Sequence, residues 1–269
     1  MDFQPTLKEI TKTIRTLIGK GAIFYISHSG GKDSQAMYSM LLTLVPANQI
    51  VVVHSDLGEV EWQGTQDHIN ATIDHDLNVV RSAKTLLDMV ERRFESRPDV
   101  PSWPSSAHRQ CTSDLKRGPI YKFIRNDMKA RGATLAVNCM GLRAEESSAR
   151  AKKISYQVNN TLSKAGRTVL DWLPIHNWST EEVFAEIARA GQKPHWAYAE
   201  GNERLSCVFC IMGSPNDLSN GRKHRPELYD KYIALEKKTG WSMFHKSSLA
   251  DKAIIATDAV QTTAAVWEL

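Results

Sequence analysis

The hydrophobic pattern at the start of the chain changes period twice within 45 residues. Leu7, Ile10, Ile14, Leu17 and Ile18 recur at helical spacing and predict an amphipathic helix. Ala22-Ile23-Phe24-Tyr25-Ile26 is an unbroken apolar run, the pattern of a strand covered on both faces. Met37, Met40, Leu41 and Leu44 then return to helical spacing. Further along, Ile50-Val51-Val52-Val53-His54 and Thr134-Leu135-Ala136-Val137-Asn138-Cys139 predict two more buried strands, and Asn78-Val79-Val80 a weaker one. Helical patterns cover Trp62 to Ile73, Leu86 to Phe94 and Leu115 to Lys129, the last with Pro119 in its first turn. Ser179 predicts an N-cap, with Glu182 at capping-box spacing. Ser96 to Arg109 is rich in Pro and Ser and long enough for a lid; Asn159 to Arg167 reads as a polar loop.

Strands alternating with helices predict an α/β fold: an open, mostly parallel sheet with helices on both faces, Rossmann-like. No strong strand pattern follows Pro194. The expected division is therefore an α/β domain over 1–195 and a C-terminal helical and loop appendage over 196–269. In such a sheet ligands bind beyond the carboxyl ends of the strands. Three polar segments lie there: Ser27 to Ser34, His54 to Glu59 and Cys139 to Arg143.

The first of these, Ser27-His28-Ser29-Gly30-Gly31-Lys32-Asp33-Ser34, joins a strand to a helix. Paired glycines lack Cβ atoms, so backbone N–H groups can close on an anion. The helix start adds N–H groups and a partial positive charge. Ser29 and Ser34 offer hydroxyls and Lys32 a full charge. The spacing differs from a Walker loop, which has four residues between its first Gly and its Gly-Lys pair.

Ser29 to Ser34 resembles the SGGxDS loop of the ATP pyrophosphatases. Four other segments resemble the same superfamily in chain order. They are His54-Ser55-Asp56-Leu57-Gly58-Glu59, the G-x-R-x-x-x-S-x-x-R segment from Gly141 to Arg150, Leu173-Pro174-Ile175-His176-Asn177-Trp178-Ser179 through Val183, and Arg204-Leu205-Ser206-Cys207-Val208-Phe209-Cys210. Together they resemble the 3′-phosphoadenylylsulfate (PAPS) reductase-like superfamily over residues 20 to 215. That resemblance implies an adenine nucleotide α-hydrolase fold, with ATP held by Ser29, Gly30, Gly31, Lys32, Asp33, Ser34, His54, Asp56 and Gly141. It implies catalytic roles for Lys32, Asp33, Arg143 and Arg150, the arginines clamping a second anion. Seven residues apart, they share a helix face if that segment is helical; the alternative is a surface salt-bridge pair. Asp33 and Asp56 are candidate Mg²⁺ ligands, against a helix-start carboxylate and a turn residue.

Cys207-Val208-Phe209-Cys210 alone is a redox pair, half a zinc site or half an iron–sulfur site. Cys111, in Cys111-Thr112-Ser113-Asp114-Leu115-Lys116-Arg117-Gly118-Pro119, resembles the cluster-cysteine segment of iron–sulfur sulfonucleotide reductases, with Thr112 in place of the second cysteine. The resemblance implies a four-iron, four-sulfur cluster, or zinc, on Cys111, Cys207 and Cys210. Cys139 is either a fourth ligand or, as its apolar strand favours, a buried thiol. The segment 258–269 has no cysteine where thiol-dependent PAPS reductases carry their nucleophile, so the resemblance moves toward DndC-like and SspD-like DNA phosphorothioation enzymes.

Composition adds bounds. In 269 residues, 42% hydrophobic and 24% charged, there is no run of membrane-spanning length. The first residues lack a secretory pattern, and four cysteines do not make a disulfide scaffold, so a cytoplasmic setting with no membrane partner is expected. A net charge of +4, with Arg150-Ala151-Lys152-Lys153 and Arg222-Lys223-His224-Arg225, is compatible with nucleic acid. The resulting expectation is an ATP pyrophosphatase that adenylates an acceptor, a DNA phosphate foremost, for sulfur incorporation, with a cysteine desulfurase as sulfur source. The alternatives are a PAPS or adenylylsulfate reductase and a non-catalytic nucleotide-binding iron–sulfur sensor. A homo-oligomer is compatible with all three.

Overall fold

The computed structural model describes residues 7–244 and 246–254; the cysteine-less segment 258–269 lies outside them. In chain order the principal elements are α1 (Leu7–Gly19), β1 (Ile23–Ser27), α2 (Lys32–Leu42), β2 (Ile50–Asp56), α3 (Thr65–Thr72), β3 (Leu77–Arg81) and α4 (Leu86–Ser96). There follow α5 (Gly118–Arg131), β4 (Leu135–Met140), α6 (Ser148–Ala151), β5 (Tyr156–Val158), β6 (Thr168–Trp172) and α7 (Thr180–Arg189). The last are α8 (Pro215–His224), α9 (Pro226–Thr239) and α10 (Leu249–Lys252). The chain forms two compact units. One is drawn from residues up to Asp56, Gly64–Arg81 and Lys116–His195; the other from Leu57–Gln63, Ser82–Leu115 and the chain from Trp196 on.

The first unit holds a six-stranded sheet in the order β3-β2-β1-β4-β6-β5. Neighbouring strands run parallel except at the edge, where β5 pairs antiparallel with β6. This is the expected Rossmann-like α/β sheet. Alternation along β1 explains its unbroken apolar run. Phe24 and Ile26 face Ile14 of α1, Met37 and Leu41 of α2 and Val183 of α7; Tyr25 faces Ile124 and Met128 of α5. The sheet is thus covered on both faces. β5 and β6 were not apparent from the apolar pattern. β6 pairs with β4 as Leu135↔Thr168 through Cys139↔Trp172, yet its run holds a Thr and an Asp. Ser179 caps α7 as expected: its hydroxyl accepts from Glu182 N at 3.2 Å, and the Glu182 carboxylate accepts from Ser179 N at 2.6 Å.

The second unit has its own core. Val60 and Trp62, Val90 of α4, Trp103, Val208, Phe209, Leu218 of α8, Tyr232 of α9 and Leu249 of α10 pack together. Trp103 lies in the Pro- and Ser-rich loop; it is buried and its Nε1–H donates to Trp241 O at 2.8 Å. A π-helical turn, Thr112–Arg117, leads from Cys111 into α5.

Candidate functional site

Strand order reverses at β1: β2 lies on one side of it and β4, added later, on the other. The carboxyl ends of β1 and β4 therefore flank a crevice at a topological switch point, where the connecting loops diverge. The β1–α2 loop and the segment after β4 meet there. A Cβ on Gly141 would lie 3.0 Å from Asp33 O and 3.2 Å from Ser34 N. A glycine lets β4 end close to the first turn of α2 without displacing that backbone.

The loop is tied from inside. Gly30 adopts φ +76° and its N–H donates to His28 Nδ1 at 3.1 Å. Ser34 Oγ donates to Gly31 O at 2.8 Å and accepts from Ser29 N at 3.2 Å. The expectation that Ser34 offers its proton to an anion is thus corrected: that proton closes the loop. Ser29 is exposed, with its Oγ 3.3 Å from that of Ser34. His54, buried at the end of β2, donates from Nδ1 to His28 O at 2.9 Å and so anchors the loop's start. The first turn of α2 follows, and its leading N–H groups have no partner further back in the helix. Lys32 sits in that turn, only 5% exposed.

His28, given no role by the sequence pattern, is a structural centre of the loop. Since Nδ1 accepts from Gly30, the neutral ring carries its proton on Nε2, which is buried with no hydrogen-bond partner among the described residues. Burial pushes the imidazole down to about 3, with His54 and His68 adding to the effect.

Arg143 departs from the expected clamp. It stands in extended conformation before a 3₁₀ turn (Ala144–Glu146), and α6 starts only after Ser147, so Arg143 and Arg150 share no continuous helix face. Its buried guanidinium donates through Nε to Asp33 Oδ1 at 2.6 Å and through Nη1 to Glu145 Oε2 at 2.6 Å and Trp178 O at 3.1 Å. Nη2 donates to Thr180 Oγ1 at 3.2 Å. Burial opposes this charge, but the Asp33 and Glu145 carboxylates outweigh it and push the guanidinium further up. Arg150 pairs with Glu146. His176 Nε2 donates to Arg150 O at 3.0 Å, and Ala144 N to His176 O at 2.7 Å, so the Pro-Ile-His-Asn-Trp segment holds the Arg143 to Arg150 stretch in place.

The same contacts decide the Mg²⁺ expectation. Asp33 has Oδ1 on Arg143 and Oδ2 3.5 Å from Lys32 Nζ; Asp56 Oδ2 pairs with Arg81. Carboxylates neutralised by cations in this way do not fit a Mg²⁺ ligand pair, and no step below depends on one.

The cysteines divide between the units. Cys139 lies on β4, fully buried in the first unit's core, where burial pushes its thiol well up, with Asp171 adding. This is the buried thiol its apolar strand favoured. Cys111, Cys207 and Cys210 all belong to the second unit's apolar cluster. Val208 N donates to Val60 O at 2.9 Å and Met212 N to Cys210 Sγ at 3.4 Å, fixing the Cys-x-x-Cys turn. Among the described residues no three His, Cys, Asp or Glu side chains are arranged to hold a metal ion. The three thiols gather without forming the expected ligand set for a cluster or zinc. The basic run at 222–225 is also engaged within this unit. Arg225 donates to the carbonyls of Glu59 and Glu61, Lys223 and His224 meet Glu200, and Arg222 lies over the Tyr229 ring.

Fold and loop together define a Rossmann-like α/β protein with a Gly-Gly strand-to-helix loop at its switch point. Comparison with known proteins gives the family. The model for the phosphoadenosine phosphosulfate reductase domain matches residues 23–212, and the chain belongs to that family. It is 24% identical over 209 residues to the uncharacterized protein MJ0066 of Methanocaldococcus jannaschii, covering 77% of this chain and 40% of that one. It is 29% identical over 155 residues to an uncharacterized 37.8 kDa protein in the gpa 5′ region of Escherichia phage 186, covering 54% of this chain and 44% of that one. The chain thus spans less than half the length of these relatives. Among solved structures, a PAPS reductase from Candida auris in complex with phosphate overlaps with a TM-score of 0.45 at 14% identity, covering 77% of this chain and 98% of that one. A 4-thiouridine synthetase–RNA complex with bound ATP gives 0.39 at 15%, covering 82% and 54%. These likenesses are too slight to carry a function. Among the described residues no helix is long and apolar enough to cross a membrane.

Proposed function

We propose that the protein is an ATP pyrophosphatase that adenylates an acceptor for sulfur incorporation, with a DNA backbone phosphate as the foremost acceptor, as in DNA phosphorothioation. The observation that carries this reading is the Ser29 to Ser34 loop, closed on itself at the β1/β4 switch point with Lys32 in its helical turn. In this reading pyrophosphate rests on the first turn of α2. An acceptor oxygen attacks the α-phosphorus of ATP; the bond to the β-phosphate breaks and pyrophosphate leaves, its charge met by backbone N–H groups and Lys32. Arg143 acts by holding Asp33, and with it the start of α2, rather than by touching the nucleotide. A sulfur carried as a persulfide on Cys111, Cys207 or Cys210 then attacks the adenylated phosphorus and expels AMP; a second thiol of the group attacks the inner sulfur, which frees the phosphorothioate and leaves a disulfide for an external dithiol to reduce. A cysteine desulfurase would supply that sulfur.

Exchange of labelled pyrophosphate into ATP, with and without DNA, tests the adenylation step. Exchange that rises with DNA and is lost in Lys32→Ala supports the reading; no exchange under either condition overturns it. The family match favours a second reading, a sulfonucleotide reductase on the same cradle. Release of sulfite from PAPS or adenylylsulfate in the presence of a dithiol donor, with no ATP–pyrophosphate exchange, would select it.

A further inference from the structure

Tyr232 of α9 is fully buried, and its hydroxyl has no hydrogen-bond partner among the described residues. Buried Tyr hydroxyls ordinarily have one, because the unmet group costs stability. The ring is firmly placed. It stacks on Trp103 with centroids 5.4 Å apart and meets the Phe209 ring edge-on at 5.1 Å. Phe209 is the residue between Val208 and Cys210, so Tyr232 packs directly against the Cys-x-x-Cys turn. Cys111, Cys207 and Cys210 belong to the same apolar cluster. The Glu59 carboxylate, which influences the phenol, is paired with Lys231. Burial pushes the phenol well up, and Cys207, Cys210, Glu59 and Cys111 add to the effect. The hydroxyl therefore keeps its proton, a donor within the cluster that also holds three sulfurs. A thiol is a weak acceptor; an anionic sulfur is a strong one.

We propose that Tyr232 is a positioning residue that donates its hydrogen bond to the outer, anionic sulfur of a persulfide carried by the Cys111, Cys207 and Cys210 group. This rests on the reading above, in which these thiols carry sulfur. The loading step balances without an added oxidant. A cysteine thiolate attacks the outer sulfur of a persulfide donor, the new Cys–S bond forms, and the donor's S–S bond breaks. The donor leaves as a thiol with the cysteine's proton. The protein keeps Cys–S–S⁻, whose terminal charge the phenol O–H meets.

The test uses the full chain, reduced and treated with chelator, incubated with glutathione persulfide and then desalted, with no nucleotide present. Intact and peptide mass spectrometry follow the extra sulfur at positions 111, 207 and 210 over time. In Tyr232→Phe, which keeps the ring stack, the bound sulfur should be lost about tenfold faster, as expected for removing one hydrogen bond to a charged acceptor. Replacement of Tyr232 by 3-fluorotyrosine, a stronger donor of nearly the same shape, should slow the loss, and it serves if the Phe variant does not fold. Equal retention in all three proteins overturns the role of Tyr232 while leaving sulfur carriage intact. A wild-type chain that takes up no sulfur overturns both.

Discussion

At the scale of single residues, the β1–α2 loop depends on positions packed within the fold. Gly141 is one such position. A methyl group there would meet backbone atoms of Asp33 and Ser34 at 3.0 to 3.2 Å, and backbone cannot swing aside. Gly141→Ala should therefore displace the start of α2, costing about 1–3 kcal/mol of stability and weakening ATP binding at least about tenfold. A thermal melt and calorimetric titration would check both. His28 is another. Its imidazole is held down to about 3 in the folded chain, against an ordinary value of 6.5. Between those values the unfolded chain binds the proton that the folded one refuses. The stability tied to His28 is thus complete above pH 6.5 and falls as pH drops toward 3, by at most about 1.4 kcal/mol per pH unit. His28→Asn keeps an acceptor for Gly30 and does not titrate. Denaturant midpoints across pH 3 to 7 should show a shallower acid slope for this variant, although His68, also shifted down by burial, keeps some of it. Sequence made the glycines and Lys32 legible, because a loop needs those types at that spacing. The partner of Arg143 was not legible, because a guanidinium answers to whichever carboxylate the fold brings near, here Asp33, 110 positions earlier.

At the scale of elements, two tendencies compete in α8. Gly221 lies inside the helix, where alanine would ordinarily gain about 1 kcal/mol. Yet a Cβ there would stand 2.8 Å from Phe209 Cε1, 2.9 Å from Val208 Cγ1 and 3.2 Å from Val208 O. Overpacking of about 1–3 kcal/mol should outweigh propensity, so Gly221→Ala is expected to destabilise. It should also disturb the Cys-x-x-Cys turn, seen as faster alkylation of Cys207. The contrast between β1 and β6 shows why some elements could be read and others not. β1 is buried on both faces and its composition says so. β6 is set by pairing with β4, and its Asp171 accepts from Asn138 and Asn159 at 2.8 and 2.9 Å. The capping box at Ser179 was readable because it is local in sequence.

At the scale of the whole molecule, the Gly-Gly loop belongs to one unit and Cys111, Cys207 and Cys210 to the other. ATP should therefore slow amide hydrogen exchange over 28–34 and 141–147 and leave 205–213 little changed, a pattern that peptide-resolved mass spectrometry would report. Protection confined to 205–213 would remove ATP from the β1/β4 crevice. Assembly of the second unit from three stretches of chain was beyond local pattern, since 57–63 and 82–115 carry no mark of the core they join. The inward ties of the loop have a kinetic meaning as well. With Ser34 bridging Ser29 and Gly31, and Gly30 held by His28, little rearrangement remains when an anion arrives. Association should then be limited by encounter, and selectivity among polyphosphates should reside in how fast each one leaves.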